Sequence, residues 1–306
     1  MQTKKLLQIK QVITGLLPEG PLDALAVGVI DFNARKFEAI EALLNQGCVD
    51  FSREPLMYFD LASLTKPLTN SLSFFLRPEA FDKNIELCLN HRGGLPTWGI
   101  LSRDSWREQI LSYPIRESET HYSDFSALRV MLELEKKNID QKKICSEIWD
   151  KETVYWTDLP SWYPKPQFGY KNMRPNFGRV HDPNAWTIKS FCSHAGLFST
   201  VDGLCRTLLN YQNQTQFISK MTTDLNTHKH RFVYGWDRVV NPEDTLAGKA
   251  CSKNTFGHLG FTGTSIWIDA DKMQGHVILS NATKYHWYDK TNLNDIRRAI
   301  GEIVWS

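Results

Sequence analysis

The chain has 306 residues, 42% hydrophobic and 23% charged, which is ordinary for a globular protein with room for one large unit or two modest ones. Its 36 basic and 34 acidic residues leave a formal net charge of +2, without the excess of one sign that marks a nucleic-acid or membrane-surface partner. No stretch approaches the roughly 20 apolar residues of a membrane span.

The first expected element is an amphipathic helix. Leu6, Leu7, Ile9, Val12, Ile13, Leu16 and Leu17 fall at helical spacing, and Gln8, Lys10 and Gln11 interrupt the apolar run that a secretory signal requires. As it stands the chain reads as cytoplasmic, with a periplasmic or secreted address open if a signal has been removed. Ala24–Phe32 is strand-like. Arg35–Gln46 is ambiguous, because Phe37, Ile40 and Leu43/Leu44 have helical spacing. From Leu61 to about Asn213 the pattern is mostly helical, clearest at Ser126–Lys137 and Val201–Tyr211, with irregular Pro- and Trp-rich stretches between. Phe232–Val240, Gly263–Ile268 and Gly275–Ser280 are short and rich in β-branched and aromatic residues, as strands are. Asn292–Val304 returns to helical spacing. This order predicts an α/β (α+β) fold, a sheet flanked by terminal helices around a mainly helical insertion.

The six cysteines are scattered without a C-x-x-C, which predicts buried free thiols rather than a zinc or redox site. His181 and Asp182 have no further ligand at helical or strand spacing, so no metal or other cofactor is expected. His91 and His194 read as structural hydrogen-bonders, His228 and His230 as loop residues. Among Trp156, Trp162, Tyr163, Phe168 and Tyr170, half are expected in the core and the rest over a cleft.

Chemistry concentrates in three segments. In Phe59-Asp60-Leu61-Ala62-Ser63-Leu64-Thr65-Lys66-Pro67-Leu68-Thr69, Ser63 and Lys66 stand three apart, on one face of a helix, and this Ser-x-x-Lys occurs once in the chain. A serine hydroxyl needs a neighbour to take its proton, and a lysine does so when desolvation or another positive charge lowers its pKa. Pro67 places a helix start close to Ser63. In His121-Tyr122-Ser123-Asp124, a tyrosine fixed beside the lysine would lose its proton more easily and shuttle it to a leaving group. Phe256-Gly257-His258-Leu259-Gly260-Phe261-Thr262-Gly263-Thr264 opens a strand, where glycines let a substrate lie along the edge. The backbone N–H groups of Ser63 and Phe261 would then bind an oxyanion.

These segments, ASLTKPLT, HYSD and GHLGFTGTS, resemble the three signature motifs of the serine β-lactamase and penicillin-binding protein superfamily, in its class C β-lactamase-related branch. His91–Pro96, Val180–Ala185 and Ser193–Thr200 add likeness in the same order. The resemblance implies Ser63 as the acylated nucleophile, Lys66 as its general base and Tyr122 as proton donor to the leaving group. His258 stands where the third motif usually has lysine, and Gly260 at its glycine. It also implies an antiparallel sheet backed by the terminal helices, formed by residues 1–60 and 203–306. A mainly helical domain of 61–202 is inserted, and the cleft lies between, with Tyr122 and His258 on opposite walls. A second strand is implied within Arg35–Gln46, against the helical spacing there.

Two positions depart from the pattern. Asp124 replaces a common asparagine and, ionised, offers no N–H; it would pair with Lys66 and raise its pKa, or stay structural. His258 replaces a permanent cation and anchors a substrate carboxylate less well. The expected function is therefore an acyl-enzyme esterase or amidase acting on a small-molecule acyl substrate. The alternatives are a DD-carboxypeptidase, D-amino-acid peptidase or weak β-lactamase acting on peptidoglycan-derived peptides, and a ligand-binding or sensor protein of the same fold.

Overall fold

The computed structural model describes residues 2–51, 56–285 and 288–306. Helix α1 (Gln2–Leu16) leads into strands β1 (Ala24–Asp31), β2 (Lys36–Asn45) and β3 (Cys48–Asp50), and β4 (Phe59–Asp60) follows. Helices α2 (Leu72–Leu76), α3 (Lys83–Leu89), α4 (Trp106–Ser112), α5 (Asp124–Lys136) and α6 (Gln141–Ser146) come next. Then come β5 (Thr153–Tyr155), β6 (Gln167–Lys171), β7 (Arg174–Phe177), α7 (Pro183–Ile188), β8 (Leu197–Ser199), α8 (Val201–Thr215) and α9 (Phe217–Leu225). The chain closes with β9 (Phe232–Val233), β10 (Trp236–Arg238), β11 (Thr255–Leu259), β12 (Ser265–Asp269), β13 (Gln274–Ser280) and α10 (Thr291–Trp305).

Among the described residues the main sheet runs β3-β2-β1-β13-β12-β11-β10-β9, with every pairing antiparallel. The expected architecture of a sheet with terminal helices is thus present: β1 lies beside β13, and α1 packs against α10. Strand β1 alternates as a pleat requires. Leu25, Val27 and Val29 join the core under α1 and α10, and Ala24, Ala26 and Ile30 join the core shared with α8 and the helical layer. Because both faces are covered, the strand reads as a continuous apolar run rather than an alternation. Gly28 admits α8 to the sheet: a Cβ there would lie 2.4 Å from Cys205 Sγ and 2.9 Å from Val277 Cγ2.

The same double burial explains the segment whose spacing looked helical. Arg35–Gln46 contains β2, paired with β1 from Ala24↔Leu43 to Asp31↔Lys36. Phe37 and Ala39 pack to one side, and Ile40, Ala42 and Leu44 to the other, so apolar residues from two faces mimic a helical period. The expected strand Phe232–Val240 is instead a hairpin. Tyr234 and Gly235 take φ of 51° and 82° and turn β9 onto β10 with Trp236 opposite Val233. The middle of the chain also carries two small sheets, β4-β8-β5 and β6-β7, within its helices. Five cysteines are buried thiols; Cys48 is exposed, contrary to expectation, because it sits at the edge of the sheet in β3. No described helix is long and apolar enough to cross a membrane.

Candidate active site

Ser63 lies in a tight turn rather than inside a helix. Asp60 closes β4, and its Oδ1 accepts from Ala62 N at 2.8 Å. That bond holds Ala62 at φ 47°, a left-handed conformation that costs an alanine about 1 kcal/mol or more. A 3₁₀ turn follows over Ala62–Leu64, then a wide turn in which Leu72 N reaches back to Pro67 O, and only then α2. Pro67 therefore opens the wide turn and not an α-helix starting at Ser63. Thr65 and Thr69 lock this segment to the next by accepting from Leu197 N at 3.1 Å and donating to Ser193 O at 3.0 Å.

Lys66 is almost fully buried, and its Nζ meets Ser63 Oγ at 2.9 Å, His194 O at 3.0 Å and Asp124 Oδ1 at 2.7 Å. The Tyr122 hydroxyl engages both Lys66 and Ser63. Burial pulls the Lys66 pKa down, but the charge of Asp124, seconded by Tyr122, outweighs it and raises the pKa above the ordinary lysine value. Tyr122 also ends above its ordinary value, because burial and Asp124 outweigh the attraction of Lys66. Of the two readings of the lysine, the pairing with Asp124 that raises its pKa is the one present, and the easily ionised tyrosine is reversed.

Ser123 fixes the tyrosine. It caps α5 by accepting from Ser126 N at 2.9 Å, donates to Pro96 O at 2.6 Å, and its N–H reaches His91 Nδ1 at 3.1 Å. The Tyr122 ring packs 4.6 Å from the His91 ring and 5.8 Å from that of His258. His258 is not on an opposite wall: it lies beneath the tyrosine, 3% exposed, with Nδ1 at 2.9 Å from Leu259 O. Burial and the nearby Lys66 charge lower its pKa to about 3, so it is a neutral imidazole.

The glycine motif reaches the nucleophile turn directly. Thr262 Oγ1 donates to Asp60 O at 2.6 Å and Thr264 Oγ1 to Leu61 O at 3.0 Å. A Cβ on Gly260 would lie 1.9 Å from Thr264 Oγ1 and 2.6 Å from Leu61 O, so only glycine fits. The resulting cleft, about 770 Å³, is lined by Ser63, Tyr122, Asp124 and Phe261 together with Asp182 and His194. Trp98, Tyr170 and Tyr285 add exposed aromatic surface to it. Of the five aromatics expected to divide between core and cleft, Phe168 is buried and Tyr170 reaches the cleft, while Trp156 and Tyr163 line a separate hollow. The main omissions of the sequence reading are Asp60 and the pairing of Asp182 with His194. Asp60 receives Ala62 N and, at 2.6 Å, His181 N, and burial pushes its pKa up to about 7 despite those bonds. Its adjacency to the Ser63 segment was the available signal.

Comparison with known proteins agrees with this fold. The sequence pattern of the beta-lactamase family matches residues 89–299, a span holding Tyr122, His258 and Gly260 but beginning beyond Lys66. An N-acetylmuramyl-L-alanine amidase of Bacillus subtilis (strain 168) is 35% identical over 126 residues. A putative D-alanyl-D-alanine carboxypeptidase of Salmonella enteritidis PT4 is 34% identical over 125. Each alignment covers 37% of this chain, and only 28% and 29% of those relatives' lengths. Among solved structures, a class C beta lactamase from Rhodobacter sphaeroides superposes with a TM-score of 0.63 at 15% identity, covering 97% of this chain and 98% of that one. D-alanine carboxypeptidase AmpC from Burkholderia cenocepacia gives 0.64 at 14% identity, covering 92% and 95%. At such identities these structures speak for the fold.

Proposed function

The chain belongs to the beta-lactamase family, and from that premise we propose that it is a serine hydrolase working through an acyl-enzyme at Ser63. The observation that carries this reading is the 2.9 Å contact between Ser63 Oγ and the buried Lys66 Nζ at the floor of a cleft. In its neutral form Lys66 takes the hydroxyl proton as Oγ attacks the substrate carbonyl carbon. The C–O⁻ of the tetrahedral intermediate is received by the backbone N–H groups of Ser63 and Phe261. Tyr122 passes a proton to the leaving oxygen or nitrogen as its bond to carbon breaks and recovers one from protonated Lys66, which is then neutral again. Water then repeats the sequence on the ester and frees Ser63.

An ester or amide without an obligatory carboxylate is the substrate class this site favours. His258 is buried and neutral, so it offers no cationic anchor. The names of the two relatives favour a second reading, an amide or peptide bond of peptidoglycan-derived fragments. Residues 61–202 are read as the inserted unit and 1–60 with 203–306 as the sheet unit. α8 starts at Val201, just ahead of that boundary, and packs on β1, β2 and β13.

A fluorophosphonate probe tests the assignment. Mass spectrometry is expected to find one adduct, on the peptide containing Ser63, and p-nitrophenyl acetate turnover is expected to vanish in Ser63→Ala. An adduct elsewhere, with Ser63→Ala fully active, would remove Ser63 from the mechanism.

A further inference from the structure

Asp182 is a carboxylate in the wall of the same cleft, and the mechanism makes no use of it. Its Oδ1 is fully engaged, accepting from Ala185 N at 2.7 Å as the cap of α7 and meeting His194 Nε2 at 2.9 Å. Its Oδ2 has no hydrogen-bond partner among the described residues, and the side chain keeps 16% exposure. His194 on its other side is buried to 1%, and its carbonyl holds Lys66 Nζ. The wall and the lysine are therefore one rigid piece.

The charge of this wall decides what it can receive. Burial pulls the His194 pKa down, but the Asp182 charge and hydrogen bond raise it to about 10, so the pair is an imidazolium and a carboxylate at neutral pH. Lys171, whose Nζ donates to His181 O at 2.6 Å, adds positive potential at Asp182. A carboxylate already neutralised in this way gives a substrate ammonium little net attraction, and an ammonium would still lose its hydration. A neutral N–H or O–H donor instead gains a charge-assisted hydrogen bond without burying a further charge.

We propose that Asp182, through Oδ2, accepts a hydrogen bond from a neutral amide N–H or hydroxyl on the substrate and thereby selects donor-bearing acyl groups over plain aliphatic ones. The inference rests on the Ser63 reading for the orientation of the substrate. It assigns Asp182 a recognition role, with His194 as the group that positions and neutralises it.

Two p-nitrophenyl esters that differ by one donor provide the test: the N-acetylglycine ester, and the acetoxyacetate ester in which oxygen replaces the N–H. For the unmodified protein, KM is expected to be about tenfold lower for the N–H ester, with kcat within a few fold. In Asp182→Asn, Oδ1 can still cap α7 while the amide presents NH₂ to the cleft, and the KM ratio is expected to fall to about one or reverse. Turnover of p-nitrophenyl acetate, which carries no donor, serves as the reference. A KM ratio near one in the unmodified protein overturns the proposal even if the variant does not fold, and so does a ratio that survives Asp182→Asn. Failure of the Ser63 reading shows differently, as undiminished turnover of both esters by Ser63→Ala.

Discussion

Lys66 sits among the oxygens of Ser63, His194, Tyr122 and Asp124, and of these the Asp124 carboxylate carries a charge. At the residue scale this sets the pH dependence. The base that accepts the Ser63 proton is neutral lysine, and Asp124 raises the pKa that governs its population. kcat/KM is therefore expected to climb with pH well into the alkaline range. Asp124→Asn removes the charge while keeping the shape, which leaves burial opposed by Tyr122 without the carboxylate, and the lysine pKa falls. The ascending limb of kcat/KM against pH should move to lower pH by about one unit or more. An unmoved limb would mean that Asp124 does not control Lys66. His258 makes the companion prediction. Without a cationic anchor, ester hydrolysis should exceed nitrocefin hydrolysis by at least about a hundredfold in kcat/KM, roughly 2.7 kcal/mol. Rapid nitrocefin turnover would refute this. Ser63, Lys66 and Tyr122 were readable from the sequence because the motifs mark their residue types and order. The pairing of Asp124 with Lys66, 58 positions apart and 2.7 Å in contact, was open to it as one of two readings, whereas the raised tyrosine pKa was not, since it depends on burial.

At the scale of elements, legibility followed how many faces each element buries. Helices α1, α8 and α10 each show a polar face to solvent and could be placed from their periodicity. Strand β2 is covered on both faces, so its pattern pointed to the wrong period until β1 paired with it. The α8–sheet contact offers a direct test of such packing. Gly28→Ala would ordinarily help a strand, but here the added methyl lands 2.4 Å from Cys205 Sγ. The substitution is expected to destabilise the protein by about 1–3 kcal/mol in urea unfolding. Adding Cys205→Ala should recover part of that loss, because the sulfur is the nearest obstacle. Equal stability of Gly28→Ala and the unmodified protein would show that α8 stands off the sheet.

The whole molecule assembles its site from segments far apart in the chain. The Ser63 turn is joined to the Gly260–Thr264 turn by the bonds of Thr262 and Thr264 to the backbone of Asp60 and Leu61. Arg297 of α10, fully enclosed, donates to Thr264 O at 2.9 Å and links the closing helix to the same frame. A ligand bonded to Ser63 and received by the Phe261 backbone would thus bridge the nucleophile turn, the sheet and, through Arg297, the last helix. A boronic acid that adds reversibly to Ser63 Oγ imitates the tetrahedral intermediate and tests this coupling. At a concentration of one hundred times Kd, linkage contributes about 2.7 kcal/mol. In a protein of this size that should raise Tm by several degrees, as the shift of one cooperative transition. The same compound should leave Tm unchanged in Ser63→Ala, which has no oxygen to add to boron. A shift of equal size in Ser63→Ala would place the compound elsewhere. If the boronate instead split unfolding into two transitions and moved only one, the cleft would not be the joint that makes the two parts of the molecule unfold together.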